Sequence, residues 1–486
     1  MDSDLYRGLE PARLWAHFAA LNAIPRPSGH EDRARDYVLE VAEAAGVPAQ
    51  VDECGNTVVR VPASDNGRGP AVAVQAHLDM VCDADPNLPH DCEADPIRAR
   101  RDGDRISASG TTLGADNGIG VAAALSLIAA ADVRHGPLEL IFTVDEESGR
   151  WSALELDVSS LDAEVLINLD SEDSEAVTVG SAGGGDVELT LPVGRESPRP
   201  GSDGVELRLS GLGGGHSGLQ IDEPRANGIK LLVEALEHLR SAGLDYRIAS
   251  IDGGSASNAI PRSAVAVLEI PAGELSLARR LVGEALDELR TSWAATEHGL
   301  RLELGAAQAP ASVLVEDAAT RLLDLLRRLP HGVLARSERF PDTVETSANL
   351  AVVETGPAAV RALTSVRSFS DAGLRAVQAG IGELAHNIGA SHEVSDGYPP
   401  WEPPAQSRLV DAAVAAYRRT YGREPRIDVL HAGLECGAFV SRRPGLEAVS
   451  FGPRIGDAHT PKEHVYASTV ESTWQLLVGL LGDLCD

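Results

Sequence analysis

Five short stretches of this chain place carboxylates or imidazoles where a strand should end or a helix begin. They are His77 and Asp79 within 75–80, Asp116 within 110–118, Glu146 and Glu147 within 143–149, Asp170 within 166–173, and His459 within 456–463. His77 and Asp79 stand two apart, so extended backbone projects them to one side, where one can bind a metal and the other orient it. A carboxylate at a helix start is stabilised by the first amides, and its two oxygens can bridge two cations. Adjacent Glu146 and Glu147 face different ways, which suits one for metal binding and its neighbour for proton transfer. Each stretch alone also has an ordinary reading: a loop His beside a solvated Asp, an Asp at a helix N-cap, surface acids, a surface His in a Gly/Pro loop. As a set they form an oxygen-rich donor group with two imidazoles. That group suits paired Zn²⁺, Mn²⁺ or Co²⁺ better than a thiolate zinc site. Two such ions about 3.5–4 Å apart clamp a bridging water and lower its pKa.

Convergence of these residues requires an open α/β sheet, in which ligands gather beyond the carboxyl ends of the strands. The first third supplies one. Helical periodicity over 10–46, with an amphipathic segment Asp32–Ala45 stopped by Gly46, precedes the β-branched runs Thr57–Val61, 71–76, 138–144 and 165–169. An Ala/Leu-rich helix is expected over 118–131. Near residue 185 the character changes: 186–191 and 205–209 alternate strictly, and helices at Gly228–Ser241 and 276–293 flank a strand at Ala264–Ile270. Such a mixture predicts a smaller α+β domain, running to a Pro/Gly hinge at 396–401. The remainder is again α/β, so residues 1–184 and 399–486 form one domain and 185–398 an insertion.

Composition narrows the partners. The 486 residues exceed what one core usually organises, and a net charge of −31 repels phosphate backbones and anionic lipid. Nucleic acid and membrane surfaces are therefore poor partners. Residues 1–4 lack the basic and apolar pattern of a secretory leader, and the longest charge-free apolar stretch, between Asp116 and Asp132, is too short to span a bilayer. Five scattered cysteines announce neither a disulfide framework nor a CxxC knuckle. A cytoplasmic protein is expected.

The ordered motifs HLDM, GTTLGADNG, DEESG, NLDSE and AHTP closely resemble those of the M20 metallopeptidases, in particular the aminoacyl-histidine dipeptidase branch. The likeness also covers GGGHSG at 213–218, NAIPR at 258–262 and HAGLECG at 431–437. It implies a zinc-peptidase-like catalytic domain with a mostly parallel central sheet, an inserted α+β lid that often dimerises, and a homodimer acting on short peptides. It makes Asp116 the bridging ligand between two divalent ions, zinc first, with manganese or cobalt as alternatives. His77 and Asp170 complete one site, Glu147 and His459 the other. Asp79 orients the His77 region, and Glu146 is the general base acting on a water held by the ions. His216 polarises the scissile carbonyl, and Asn258 and Arg367 hold the peptide carboxylate. The plainer readings are a glycine turn carrying a surface His, an Asn capping a turn and an Arg on a surface strand. GGHSG is not GxSxG, so no serine-hydrolase elbow is present. Cys436 reads as a buried thiol rather than a nucleophile paired with His431. The implied reaction is dipeptide hydrolysis; the alternatives are cleavage of an N-acyl amino acid by the same centre, or a non-catalytic binding homologue.

Overall fold

Runs of β-branched and other apolar residues bounded by turn residues become buried strands, and in this chain they build two large sheets. The computed structural model describes residues 5–65, 67–395 and 397–485. Residues 1–4, which bear on a leader, and Asp396 of the expected hinge lie outside the described residues. The chain divides into two units: Met1–Ser181 with Trp401–Leu430 and Leu434–Asp486, and Ala182–Pro400 with His431–Gly433.

The first unit is built on an eight-stranded sheet. Its strands are β1 (Ala49–Val51), β2 (Thr57–Val61), β3 (Val72–His77), β4 (Leu138–Thr143), β5 (Val165–Asn168), β6 (Ala176–Ser181), β7 (Arg426–Leu430) and β8 (Glu447–Ser450), in the order β1-β2-β4-β3-β5-β8-β6-β7. The central neighbours β4, β3, β5 and β8 run parallel, while β1 and β2 join antiparallel at one side. Every residue of β3 and β4 is buried, as expected of strands covered on both faces. The helix Ala115–Leu127 follows the same logic: its small and aliphatic residues are buried nearly all round. Asp116 and Asn117 depart from helical backbone, so the regular helix runs from Gly118, as the periodicity suggests, and it ends at Leu127, short of the expected 131. Asp32–Ala45 ends where Gly46 takes a left-handed conformation (φ 69°). Because β3, β4 and β5 are parallel, the segments that follow them leave from one edge, bringing His77, Glu146–Glu147 and Asp170 there.

The second unit is α+β. Its nine-stranded sheet includes Gly183–Pro192, Asp203–Ser210, Val344–Thr355 and Ala359–Ser368, paired antiparallel throughout. Helices Gly228–Ser241, Leu275–Ser292, Glu316–Arg328 and Asp371–Ile388 lay their apolar faces into one core with the inward residues of these strands.

One feature departs from the expectation for cysteine: Cys82 and Cys92 are joined, with Cα atoms 5.9 Å apart. A loop of turns folds the chain back between them, closed by Leu88 N donating to Asp85 O and Ala94 N to Asp91 O. Cysteine spacing alone carries no signal of that fold-back. Among the described residues no helix is long and apolar enough to cross a membrane.

Leu232, fully buried in the second unit's core, tests how that core is built. Leu232→Ala should cost about 2–5 kcal/mol of that unit's stability, while the cation content of the first unit stays at the parent level. Denaturant unfolding with metal analysis decides it, and loss of cation in this variant would contradict two separate cores.

Candidate metal centre

Each of the five proposed ligands reaches the same place from a different element of the first unit. His77 closes β3 and is buried; its Nε2 lies 3.1 Å from Asp116 Oδ1 and 3.2 Å from Asp170 Oδ1. His459 Nε2 lies 3.1 Å from the other Asp116 oxygen and 3.0 Å from Glu147 Oε1. Asp116 therefore faces two imidazoles with its two oxygens. Two donor sets result, His77–Asp116–Asp170 and Asp116–Glu147–His459, each with its ligand atoms within 4.8 Å of one another. Glu146 belongs to a third such group with His77 and Glu147.

These residues fit divalent cations on the chemistry of the donors. Separations of 3.0–3.2 Å are close to the edges of a polyhedron whose zinc bonds measure about 2.0–2.2 Å. The charge also fits. Burial by itself would lower His77, but the carboxylates of Asp170, Asp116 and Asp79 outweigh it and hold the imidazole well above its usual range. Hydrogen bonds to Asp116 and Glu147 push His459 up to about 11. Burial raises Glu146 far above a normal carboxylate, His77 opposing and Asp170, Glu435 and Glu147 adding to it. Glu172 is pushed up to about 8 by burial and then by Asp116. Negative charge is in surplus here, which is what a cation site requires.

Around the ligands stands a frame that fixes their backbone. Asp79 is fully buried and accepts from Ser28 Oγ (2.7 Å), Glu146 N (3.1 Å) and Glu147 N (3.0 Å), while its Oδ1 lies 3.3 Å from His77 Nδ1. One carboxylate thus orients the first imidazole and the peptide carrying both glutamates. Glu463 accepts from Leu113 N (2.7 Å), Gly114 N (3.0 Å), Ala115 N (2.8 Å) and Asp116 N (3.3 Å). The amides at the helix start are satisfied by Glu463, so Asp116 is not an ordinary N-cap. The buried Arg26 donates to Leu78 O (3.0 Å), Asp79 O (3.3 Å) and Gly114 O (2.7 Å), tying the His77 and Asp116 loops together. Gly114 (φ 67°) makes room for it: a Cβ there would stand 2.6 Å from Arg26 Nη2. Burial brings Arg26 down to about 10, against the raising effect of Glu463, Asp79, Asp116 and Glu147.

A polar layer runs beneath the site across the parallel strands. Glu435 Oε2 accepts from Thr143 Oγ1 and Gln75 Nε2, both at 2.6 Å. Gln75 Oε1 in turn accepts from Asn168 Nδ2 (2.6 Å), and Asn168 Oδ1 accepts from Asp170 N (3.1 Å). Asn117 Nδ2 donates to Leu169 O (3.0 Å) and to Asp170 Oδ1. Asp145 and His459 hold left-handed backbone (φ 60° and 61°), a conformation that non-glycine residues adopt mainly where surroundings enforce it.

The remaining sequence candidates lie in the second unit. His216 Nδ1 accepts from Gly218 N (3.2 Å) and Leu219 N (3.1 Å), and the Asn258 carbonyl accepts from Ser217 N (2.8 Å), so these two loops are joined. Asn258 is exposed. Arg367 is buried on a central strand and donates to Tyr398 Oη (2.6 Å). His431 of the same unit accepts or donates at Ser347 Oγ (2.7 Å), and burial with the nearby Arg367 charge lowers it to about 3.

A central sheet with parallel core strands, candidate ligands beyond their carboxyl ends, paired donor sets and an adjacent glutamate is the arrangement of a metallohydrolase site. Residues 73–483 match peptidase family M20/M25/M40, and the chain belongs to this metallopeptidase family. It is 37% identical over 478 residues, 98% of each chain, to the cytosol non-specific dipeptidase of Escherichia coli. Its structure is similar to that of aminoacylhistidine dipeptidase from Vibrio alginolyticus, with a TM-score of 0.86, 36% identity, and 98% and 97% of the two chains covered. Aminopeptidase PepT from Bacillus cereus shares the fold at 16% identity, TM-score 0.57, with 98% and 100% covered.

Sequence reasoning did not assign Arg26, Gln75, Asn168, Glu435 or Glu463. Gln75 and Asn168 did carry a signal, being amide side chains inside otherwise apolar strands. Glu463 offers the direct test. Glu463→Gln turns an NH₂ toward amides that need an acceptor, a mismatch of about 1–3 kcal/mol. The variant should retain less cation at equal free metal, with unchanged circular dichroism. Parent-level cation content and activity would remove Glu463 from the frame.

Proposed function

We propose that this chain is a cytoplasmic dipeptidase of broad or Xaa-His specificity, working at two divalent cations, zinc first. The observation that carries the reading is Asp116, whose two oxygens meet imidazoles of two different donor sets. The relatives' names support the substrate class. His77, Asp116 and Asp170 would hold one cation and Asp116, Glu147 and His459 the other. Cations so held would polarise a peptide carbonyl and lower the pKa of water.

The chain's own residues do the rest. Glu146 takes the proton of the attacking water and returns it to the leaving amine. Asp79 keeps the Glu146–Glu147 peptide in place through both amides. His216 donates to the oxygen on which charge develops. Asn258 and Arg367 bind the free C-terminal carboxylate, so that short peptides are selected. A second copy of the chain is the proposed partner.

Exchanging each glutamate separates base from ligand. Glu146→Gln should bind both cations and lose about 10²–10⁴-fold in kcat, the usual worth of a general base. Glu147→Gln should first lose cation, and excess metal should restore part of its activity. Metal analysis beside kcat decides the roles: cation loss confined to Glu146→Gln would reverse them, and full activity in both would sink the reading.

Carboxylate capture is tested on the substrate. A C-terminally amidated dipeptide should be cleaved poorly by the parent enzyme. Arg367→Ala should raise KM about tenfold or more, the loss of a charged hydrogen bond being roughly 1.5–3 kcal/mol. Equal cleavage of free and amidated dipeptide would contradict both assignments.

A further inference from the structure

The loop that follows the His77–Asp79 segment carries a separate cluster of soft donors. Cys82 Sγ, Cys92 Sγ and a ring nitrogen of His90 lie within 4.8 Å of one another. His90 Nε2 is shielded from solvent and makes no hydrogen bond to any described residue. Residues 81–97 contain Asp83, Asp85, Asp91, Glu93 and Asp95 and no lysine or arginine, while Arg33 reaches the loop only at the Glu93 carbonyl among the described residues, so acidic side chains outnumber basic ones around the cluster. The loop is held where it stands: Asp85 N donates to Gly110 O (2.8 Å), Thr112 N to Asp83 O (2.9 Å) and Asp83 N to Thr112 Oγ1 (3.2 Å).

We propose that Cys82, His90 and Cys92 form a third metal site, distinct from the catalytic pair, that takes a zinc ion when the two cysteines are reduced. The disulfide and the metal site are alternative states of the same donors. Reduction by a cellular dithiol adds two electrons and two protons to the Cys82–Cys92 bond, the dithiol becoming a disulfide. Both thiols then release their protons on binding the ion, as thiolate ligation requires. Two thiolates and an imidazole are a zinc donor set that leaves a fourth position for water. In tetrahedral zinc with bonds of about 2.3 Å the two sulfurs stand roughly 3.8 Å apart, so the bonded pair must separate once the disulfide is reduced. The inference draws on the reducing compartment assigned under Proposed function, but its test does not involve peptide cleavage.

Cobalt(II) is the probe, because the oxygen and imidazole donors of the catalytic pair cannot give a thiolate-to-cobalt charge-transfer band. The full-length protein is reduced with a phosphine, its thiols are counted, and cobalt(II) is added without air. Two further thiols should appear on reduction. The charge-transfer band should then rise to one equivalent in reduced protein and be absent from oxidised protein. Cys82→Ser/Cys92→Ser should lack the band while still binding cobalt at the catalytic pair, and His90→Gln should weaken its affinity tenfold or more. The proposal is overturned if reduction exposes no further thiols, if the reduced parent gives no band, or if the band survives in the double serine variant. It is equally overturned if His90→Gln binds as the parent does. Dipeptidase activity in the same samples reports on the other reading independently.

Discussion

Buried negative charge around Asp116 is the constraint that the first unit is organised to meet. Asp79, Glu435 and Glu463 are all but fully buried, and the side chains of Asp116, Glu147 and Asp170 are 11%, 6% and 8% exposed. Among the described residues His77, His459 and Arg26 oppose them. Carboxylates taken out of water without compensation cost several kcal/mol each. The consequence is visible in Glu435, which burial, with Asp170 and Asp79 adding to it, pushes up to about 8. Divalent cations relieve such a surplus in a way that further arginines could not, since they present no hydrogen-bond geometry of their own to satisfy.

Meeting that constraint requires a rigid backbone, and the frame divides the task by chemistry. Carboxylates that face amides, Asp79 and Glu463, orient loops without competing as ligands. The guanidinium of Arg26 faces carbonyls instead and joins two of those loops. The Gln75–Asn168–Glu435 layer sets the register of three neighbouring strands just before their ligands emerge.

Much of this was legible in the sequence. Apolar strands ending in acids or histidine pointed to the edge where His77, Glu147 and Asp170 come together, and the α/β class followed from their alternation with helices. The helix Asp32–Ala45 and its stop at Gly46 were readable from local chemistry alone. The supporting frame was not, because its contacts join residues far apart in the chain: Glu463 meets an amide 350 positions away, and Glu435 meets Gln75 across 360. No local pattern distinguishes such a carboxylate from a solvated one. The Cys82–Cys92 link escaped for a related reason, since it depends on a loop held by residues 110–112.

The central claim is that one carboxylate serves two cations. Anomalous diffraction from zinc-loaded crystals, collected on both sides of the zinc absorption edge, measures this directly. Two peaks about 3.5–4 Å apart are expected, one flanked by His77 and Asp170, the other by Glu147 and His459, with Asp116 between them. A single peak, or two peaks that do not share Asp116, would contradict it.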